Sequence, residues 1–359
     1  MTDAFATELV GSWCKPHWLA DHALVYAREG TWWRVPPEHR AEATDDAVRL
    51  AVADQDRAGL TYVTDGEQRR QTFSGHFTRL GGIDNEQQGA PAMHGYDIGE
   101  YLDMKEQAPP DPDAPPPAFE QPRVVGPITW EGPMLVDDLR FLARHTRGRT
   151  KVTVIGPTTL ALRLVDEHYG DQAALTFAVA DALNAELRAL ADAGADLIQI
   201  DEPEVHFRYS ACRDFAVEAI DRTLAGVDAR TAVHMCYGYS KNIAEKRATP
   251  VYELAVDLLA QTAADELSLE YEQPAHTPDL LDHTGDKAVI LGVLNLDTEA
   301  PIETVERIMG RASDAAAVVG PDRIRLAPDC GMWFLPRDHA CAKIDAMAEA
   351  GRQLAAAES

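Results

Sequence analysis

The segment TAVHMCYG places a histidine and a cysteine, His234 and Cys236, two residues apart just after a short apolar run. Side chains alternate across a β-strand, so residues i and i+2 face the same way. Imidazole nitrogen and thiolate sulfur are both ligands that Zn²⁺ favours. Each residue taken alone is more often part of a core than a ligand. The pair therefore predicts a metal site only if other parts of the chain supply further ligands.

Two more candidate ligands stand at the ends of other strand-like segments, Glu270 in LSLEYEQ and Cys330 in RLAPDCG. Together with His234 and Cys236 they offer one nitrogen, two sulfurs and one oxygen, a tetrahedral zinc set. These residues are too far apart in sequence for a compact zinc finger. The predicted Zn²⁺ site would therefore exist only in the folded chain.

The ligand types predict a particular chemistry. Zinc lowers the pKa of a thiol far below its ordinary value of about 8.5, so an incoming small-molecule thiol would be a nucleophile at neutral pH. The thiol would displace a water or a weak carboxylate ligand, and Glu270 is the labile carboxylate of the set. Two thiolate ligands make the metal electron-rich, which favours alkyl transfer onto sulfur over hydrolysis.

Eight short β-rich apolar runs are separated by segments with helical periodicity. The runs cover residues 8–13, 60–67, 151–157, 195–203, 231–238, 266–273, 287–295 and 324–331. Nearly continuous apolar runs are typical of parallel strands buried on both faces. Helices are predicted over 173–193, followed by Gly194 as a C-cap, and over 251–265, 302–320 and 338–357. This alternation predicts an α/β fold, a (β/α)₈ TIM barrel forming a single catalytic domain over residues 1–359. The candidate site residues would meet at the carboxyl ends of its strands.

Residues 71–150 interrupt this alternation between the second and third predicted strands. They contain QAPPDPDAPPPAFEQP, whose prolines exclude a regular helix or a central strand. The flanking segments GYDIGEYLDM and PRVVGPITWEG are predicted to pair as a hairpin. This excursion is interpreted as a lid or a partner-docking surface, with a passive decoration as the alternative.

Composition excludes several classes of protein. The 359 residues carry 59 acidic and 33 basic side chains, a formal net charge of −26, which disfavours a nucleic-acid partner. No secretory signal and no apolar run of about 18 residues is apparent, so a cytoplasmic protein without a membrane span is expected. The five cysteines are odd in number and widely spaced. They predict metal or catalytic use over a disulfide framework.

The segments VGSW, DGEQRR, IGPTT, QIDEP, HMCY, LSLEYEQP and APDCG follow one another in this order along the chain. In this respect the sequence resembles the catalytic domain of cobalamin-independent methionine synthase and its shorter, single-barrel relatives. The resemblance implies a zinc enzyme that transfers a methyl group to the thiol of homocysteine and forms methionine. It also implies that His234, Cys236, Glu270 and Cys330 are the zinc ligands.

The same resemblance implies roles for the residues around the metal. Gly11 and Ser12 match the segment that binds the carboxylate of the amino acid, and Glu67 and Asp201 match the acids that bind its ammonium group. Two enclosed carboxylates suit a cationic amine. Asp201 is also expected to be catalytic. The alternatives are that Asp201 supports a metal ligand and that Glu67 forms a salt bridge with a nearby arginine.

Two departures from the folate-using relatives bear on the methyl donor. Arg163 stands about where those relatives carry a tryptophan that stacks on the pterin. Asp297 stands near their histidine after the seventh strand, which is thought to help protonate the folate, so Asp297 is a second expected catalytic residue. A methyl-corrinoid, as methylcobalamin or on a corrinoid protein, is therefore expected as donor over methyl-folate.

Three alternatives remain open. Epoxyalkane:coenzyme M transferases use the same kind of zinc site, but their acceptor has no amine, so Glu67 and Asp201 favour an amino-acid thiol. A zinc hydrolase of the barrel type is the second alternative, although such enzymes usually have His and carboxylate ligands. The third is a non-catalytic protein that binds homocysteine or zinc.

Overall fold

The computed structural model describes residues 3–22, 33–70, 75–89, 121–237 and 251–358. The strands in these ranges are β1 (Tyr62–Val63), β2 (Gly81–Gly89), β3 (Gln121–Thr129), β4 (Arg149–Ile155), β5 (Val165–Asp166), β6 (Leu197–Asp201), β7 (Arg230–Met235), β8 (Glu266–Leu269), β9 (Ala288–Leu294) and β10 (Ile324–Pro328). The α-helices are α1 (Arg40–Ala58), α2 (Val136–His145), α3 (Pro157–Leu162), α4 (Gln172–Asp192), α5 (Glu204–Phe207), α6 (Tyr209–Cys212), α7 (Ala216–Leu224), α8 (Tyr252–Leu259), α9 (Val305–Val319) and α10 (Arg337–Ala357).

The main sheet is a curled parallel sheet in the order β1-β4-β6-β7-β8-β9-β10. Its central strands are buried along their whole length, as the apolar runs predicted. The pairing register places Asp201 of β6 beside His234 of β7, and His234 beside Ser268 of β8. The α/β class with a parallel sheet is thus confirmed, and the carboxyl ends of its strands form one edge.

The first predicted strand, residues 8–13, is not a strand of this sheet, which has seven strands in the described part of the chain. Thr7 and Ser12 instead form isolated parallel bridges, Thr7 with Leu326 of β10 and Ser12 with Gly66 after β1. The segment changes neighbour within a few residues, so it never makes consecutive pairs with either edge. The sequence predicted eight strands, and the described part of the main sheet has seven because residues 8–13 do not form a strand.

The helices agree with the periodicity of the sequence. Helix α4 begins after Asp171, whose side chain accepts a hydrogen bond from the Ala174 N–H, and it is followed by Gly194 in the left-handed region at φ 90°. Helix α9 also lies in its predicted segment, α10 begins one residue before its own, at Arg337, and α8 ends earlier than predicted, at Leu259. Among the described helices, none is long and apolar enough to cross a membrane. The cytoplasmic location stays a prediction.

A second sheet of three strands is formed by β2 and β3, which lie between β1 and β4 in sequence, and by β5, which follows β4. Strand β2 pairs antiparallel with β3, and β3 pairs parallel with the short β5. Strand β3 overlaps the predicted segment PRVVGPITWEG, but its antiparallel partner is β2. The segment GYDIGEYLDM lies outside the described residues. The excursion's function as a lid or docking surface stays a prediction.

Candidate metal and substrate site

Three of the predicted metal ligands come together at the carboxyl edge of the main sheet. His234, Cys236 and Cys330 each contribute one ligand atom, and these atoms all lie within 4.8 Å of one another. All three residues are buried. His234 lies near the end of β7, Cys236 follows that strand, and Cys330 follows β10. Residues distant in sequence therefore meet because their strands end at the same edge.

The orientation of His234 is set by the neighbouring strand. Its Nδ1 lies 2.9 Å from the Ser268 hydroxyl oxygen and 3.2 Å from the Ser268 carbonyl oxygen. With Nδ1–H donating to that carbonyl, the lone pair is on Nε2. Nε2 is buried and has no hydrogen-bond partner in the described part of the chain. A buried polar atom of this kind needs a partner, and a metal ion supplies one.

The two cysteines complete a donor set of one nitrogen and two sulfurs, which fits Zn²⁺. The pKa of Cys330 is raised well above its ordinary value by a hydrogen bond with Cys236, by burial and by the negative charges nearby. Such a thiol ionises when a bound cation offsets the burial of the negative charge. The residues present therefore fit a zinc ion.

Glu270, the fourth predicted ligand, is not part of this group of three. It is fully buried, and its Oε1 accepts a hydrogen bond from the Tyr237 N–H at 3.0 Å. Its charge nevertheless contributes to the raised pKa of Cys330, so the carboxylate lies close to the thiols. Direct ligation by Glu270 stays a prediction.

A cavity of about 310 Å³ opens beside the three candidate ligands. It is lined by them and by all four residues predicted to bind the substrate, Gly11, Ser12, Glu67 and Asp201. Ser12 is buried, and its hydroxyl has no hydrogen-bond partner among the described residues. The cavity thus brings the three candidate metal ligands together with carboxylate and hydroxyl groups.

Glu67 is held in place by its backbone and by two side chains. Its φ of 55° lies in the left-handed region, which is unusual for a residue with a side chain and is often found at functional sites. Its Oε1 accepts a hydrogen bond from the Thr153 hydroxyl at 2.8 Å and lies 3.4 Å from the Arg70 guanidinium. A Cβ at position 11 would lie 2.5 Å from the same oxygen, so Gly11 permits the close approach. The salt bridge to Arg70, the alternative role predicted for Glu67, is present, and Glu67 also lines the cavity.

Asp201 ends β6 inside the cavity. Burial raises its pKa to about 7, although the nearby His234 and a hydrogen bond from Gln199 act in the opposite direction. Gln199 Nε2 donates to Asp201 Oδ1 at 2.7 Å. The carboxylate therefore faces the cavity with one side-chain hydrogen bond, beside the candidate metal ligand His234.

Asp297, the second predicted catalytic residue, does not line the cavity. It is half-buried in the turn after β9, where its Oδ1 accepts the Glu299 N–H at 2.9 Å and its own N–H donates to Asn295 Oδ1. These contacts stabilise a turn. The predicted catalytic role of Asp297 stays a prediction and gains no support from its position.

Three residues that organise the site were not predicted from the sequence, namely Thr153, Gln199 and Ser268. A signal was present for two of them, because Gln199 and Ser268 are polar residues inside buried strands, two positions before Asp201 and Glu270. At that spacing they share a face with the acids. Thr153 lacks this signal, because the residue two positions after it is Ile155.

The fold and the site together define a parallel α/β protein with a buried cluster of one histidine and two cysteines beside a cavity of about 310 Å³. Residues 116–353 match the profile of a family described as the cobalamin-independent synthase, catalytic domain. The chain belongs to this family.

Individual relatives agree with that assignment. A methionine synthase from Sulfolobus acidocaldarius is 28% identical over 340 residues, covering 94% of this chain and 88% of its own. One from Saccharolobus solfataricus is 28% identical over 346 residues, covering 96% of this chain and 92% of its own. The structure of a B12-independent methionine synthase from Shewanella sp. W3-18-1, in complex with selenomethionine, has a TM-score of 0.82 and 29% identity. That comparison covers 99% of this chain and 98% of the other.

Proposed function

We propose that this protein is a zinc-dependent methyltransferase that methylates the thiol of homocysteine to form methionine. The observation that carries the proposal is one cavity lined by His234, Cys236, Cys330 and the two acids Glu67 and Asp201. Relatives with the printed name methionine synthase support the reaction class. A cavity of about 310 Å³ accommodates a small amino acid.

His234, Cys236 and Cys330 would hold the zinc ion, with Glu270 as the proposed fourth ligand. The ion supplies positive charge that lowers the pKa of the substrate thiol and makes the sulfur nucleophilic. Ser268 keeps His234 in the orientation that presents Nε2. The three ligands are buried, and limited access of water favours attack by sulfur over hydrolysis.

The amino-acid head group would bind on the other side of the cavity. Glu67 and Asp201 present carboxylate oxygens for the ammonium group. Gly11 and Ser12 present backbone and hydroxyl groups for the carboxylate, and the Ser12 hydroxyl is buried without a partner in the described residues. Because these groups are fixed by their strands, they hold the thiol at one distance from the metal site.

For the methyl donor we propose a methyl-corrinoid, either free or on a corrinoid protein. Arg163 lines the cavity where the resemblance places a pterin-stacking tryptophan, and none of the described cavity-lining residues is a tryptophan. The family description is cobalamin-independent, so transfer from methyl-folate with none from methylcobalamin is the result that would reject this donor.

The test of the proposed function measures zinc content and methionine formation together. The protein is supplied with homocysteine and with methylcobalamin or methyl-folate. Cys330→Ser is expected to lose the metal and the activity, because one thiolate ligand is removed. Cys341→Ser is the matched control, since this half-buried cysteine of α10 lies outside the ligand group, and it should retain both.

Other outcomes separate the alternatives. Stoichiometric zinc with no methyl transfer from any donor would favour a non-catalytic binder. Opening of an epoxide by coenzyme M would assign the protein to the epoxyalkane:coenzyme M transferases. Metal-dependent ester cleavage would favour a hydrolase.

We also propose that the main sheet closes as an eight-stranded barrel through the segment near residues 6–13. In support, the Glu8 N–H donates to the Leu326 carbonyl of β10, and the Tyr62 N–H of β1 donates to the Thr7 carbonyl. One segment therefore bonds to both edge strands.

A further inference from the structure

One buried amide links the two halves of the proposed amino-acid site. Gln199, in β6, is fully buried. Its Nε2 donates to Asp201 Oδ1 at 2.7 Å and to the Val10 carbonyl at 3.0 Å. Asp201 is proposed to bind the ammonium group, and Val10 directly precedes the Gly11–Ser12 segment proposed to bind the carboxylate.

We infer that Gln199 is a positioning residue for the α-amino-acid head group, one that fixes the Asp201 carboxylate relative to the backbone of the Val10–Ser12 segment. The inference rests on the proposed function. The two N–H bonds of a side-chain amide lie in one plane at a fixed angle. The Asp201 carboxylate oxygen and the Val10 carbonyl oxygen each accept one of these N–H groups. They are therefore held at a fixed separation and relative direction.

Packing alone does not explain a glutamine at this position. The Gln199 carbonyl oxygen Oε1 is buried without a hydrogen-bond partner in the described residues. An unsatisfied buried acceptor lowers stability, so an apolar side chain of similar volume would suit the core better. The contacts made by Nε2 are what an apolar residue could not supply.

The two acids of the cavity are supported in different ways. Glu67 is held by the Thr153 hydroxyl and by the Arg70 guanidinium. For Asp201, the described side chains supply one hydrogen bond, from Gln199. Loss of the Gln199 amide should therefore free the Asp201 carboxylate to rotate and leave Glu67 unchanged.

The experiment uses Gln199→Met, which keeps the length of the side chain and removes both hydrogen bonds. Methionine binding to the zinc-loaded protein is measured by calorimetry, and turnover is measured with homocysteine and with 4-mercaptobutyrate, which is homocysteine without its amino group. We expect the methionine Kd and the homocysteine KM to rise about tenfold, the size expected for a hydrogen bond to a charged group. The kcat, the zinc content and the KM for 4-mercaptobutyrate should stay within about twofold.

A double-mutant cycle identifies Asp201 as the group through which Gln199 acts. Asp201→Asn is expected to weaken methionine binding, and adding Gln199→Met should weaken it little further. Independent, additive losses would overturn the inference. So would unchanged methionine binding in Gln199→Met, or an equal loss for 4-mercaptobutyrate, which would mean a general structural role.

Two controls keep the result interpretable. If Gln199→Met does not fold, Gln199→Leu replaces it, and failure of both to fold would assign Gln199 to stability alone and overturn the inference. If the zinc-loaded wild type binds neither methionine nor homocysteine, the proposed function itself fails and this inference fails with it. If the wild type binds both compounds and the Gln199 variants do not show the expected loss of affinity, only the role of Gln199 is rejected.

Discussion

Ser268 decides which nitrogen of His234 faces the candidate metal site. Both its hydroxyl and its carbonyl oxygen lie within hydrogen-bonding distance of Nδ1, which leaves Nε2 as the ligand atom. Groups that orient a ligand in this way also raise its basicity. Removing one of two contacts should weaken the site without abolishing it.

We therefore expect Ser268→Ala to lower zinc affinity by about tenfold, at the weaker end of what such partners contribute, since the carbonyl contact remains. Competition with a chromogenic chelator measures the change. Ser313→Ala, on the exposed face of α9, is the control and should match the wild type. An unchanged affinity in Ser268→Ala would show that the carbonyl alone orients His234.

Strands β9 and β10 must approach closely where Cys330 leaves the sheet. A Cβ at Gly292 of β9 would lie 2.8 Å from the Leu269 carbonyl and in contact with Asp329. Asp329 precedes Cys330, and its Oδ1 accepts the N–H groups of Tyr271 and Glu272 at 2.9 Å each. The absence of a side chain at position 292 therefore helps to set the position of Cys330 beside Glu270.

For this reason Gly292→Ala is expected to destabilise the protein by about 2 kcal/mol, the size typical of overpacking, and to weaken zinc binding. The matched control is the same substitution at Gly310, an exposed position in the interior of α9 with no atom near the added Cβ. There, the gain in helix propensity should stabilise the protein by about 0.5–1 kcal/mol. Urea unfolding measures both changes in the free energy of unfolding. A change in the same direction for the two variants would contradict the prediction.

At the scale of the whole molecule, a buried ion pair ties the segment near residues 6–13 to the main sheet. Lys151 Nζ donates to Glu8 Oε2 at 2.6 Å and to the Leu9 carbonyl at 2.8 Å, and both side chains are fully buried. Burial lowers the pKa of Lys151, whereas the neighbouring Glu8 raises it. A pair of this kind depends on both partners.

Lys151→Met should consequently destabilise the protein by about 3–5 kcal/mol, because it leaves the Glu8 carboxylate buried without its cation. The double variant with Glu8→Leu removes that charge and should recover most of the loss. Urea midpoints of the wild type and the three variants complete the cycle. A double variant as unstable as Lys151→Met would show that the folded state needs the lysine for a reason other than this ion pair.

A second ionic contact joins Asp3, at the start of the described chain, to the first residues of β4 and β7. Asp3 binds the Arg149 guanidinium, at 2.6 Å for the shorter contact, and also that of Arg230 at 3.1 Å. The hydrogen bond from Arg149 is the largest cause that lowers the pKa of Asp3 from 3.8 to about 2. A carboxyl whose pKa is lowered by folding stabilises the folded state above its unfolded pKa.

The stabilisation by Asp3 should therefore be complete above about pH 5 and fade as the pH falls from about 4 to 2. Allowing for solvent screening, we expect Asp3→Asn to lose about 1 kcal/mol at pH 7 and progressively less below pH 4. Urea unfolding between pH 7 and 3 measures this. A difference between Asp3→Asn and the wild type that stays constant with pH would contradict the role given to Asp3.

Much of the architecture and the chemical character of the site could be predicted from the sequence. Strands buried on both faces require nearly continuous apolar runs, and this local requirement is visible in segments such as KVTVIGP and ADLIQIDEP. The ligand types of His234, Cys236 and Cys330 indicate zinc because metal preference depends on donor atoms. Both properties belong to short segments, so they can be predicted without the fold.

Only the tertiary structure decided which of the candidates meet. It brings three metal candidates within 4.8 Å, turns Glu270 toward the Tyr237 N–H, and leaves Asp297 in a turn away from the cavity. In the folded chain, the segment near residues 8–13 also lies between the β1 and β10 ends of the main sheet, and the Gln199 amide donates a hydrogen bond to Asp201. Such contacts depend on strand register and on the path of the connecting loops. Those are set by packing across the whole molecule, so no short segment carries them.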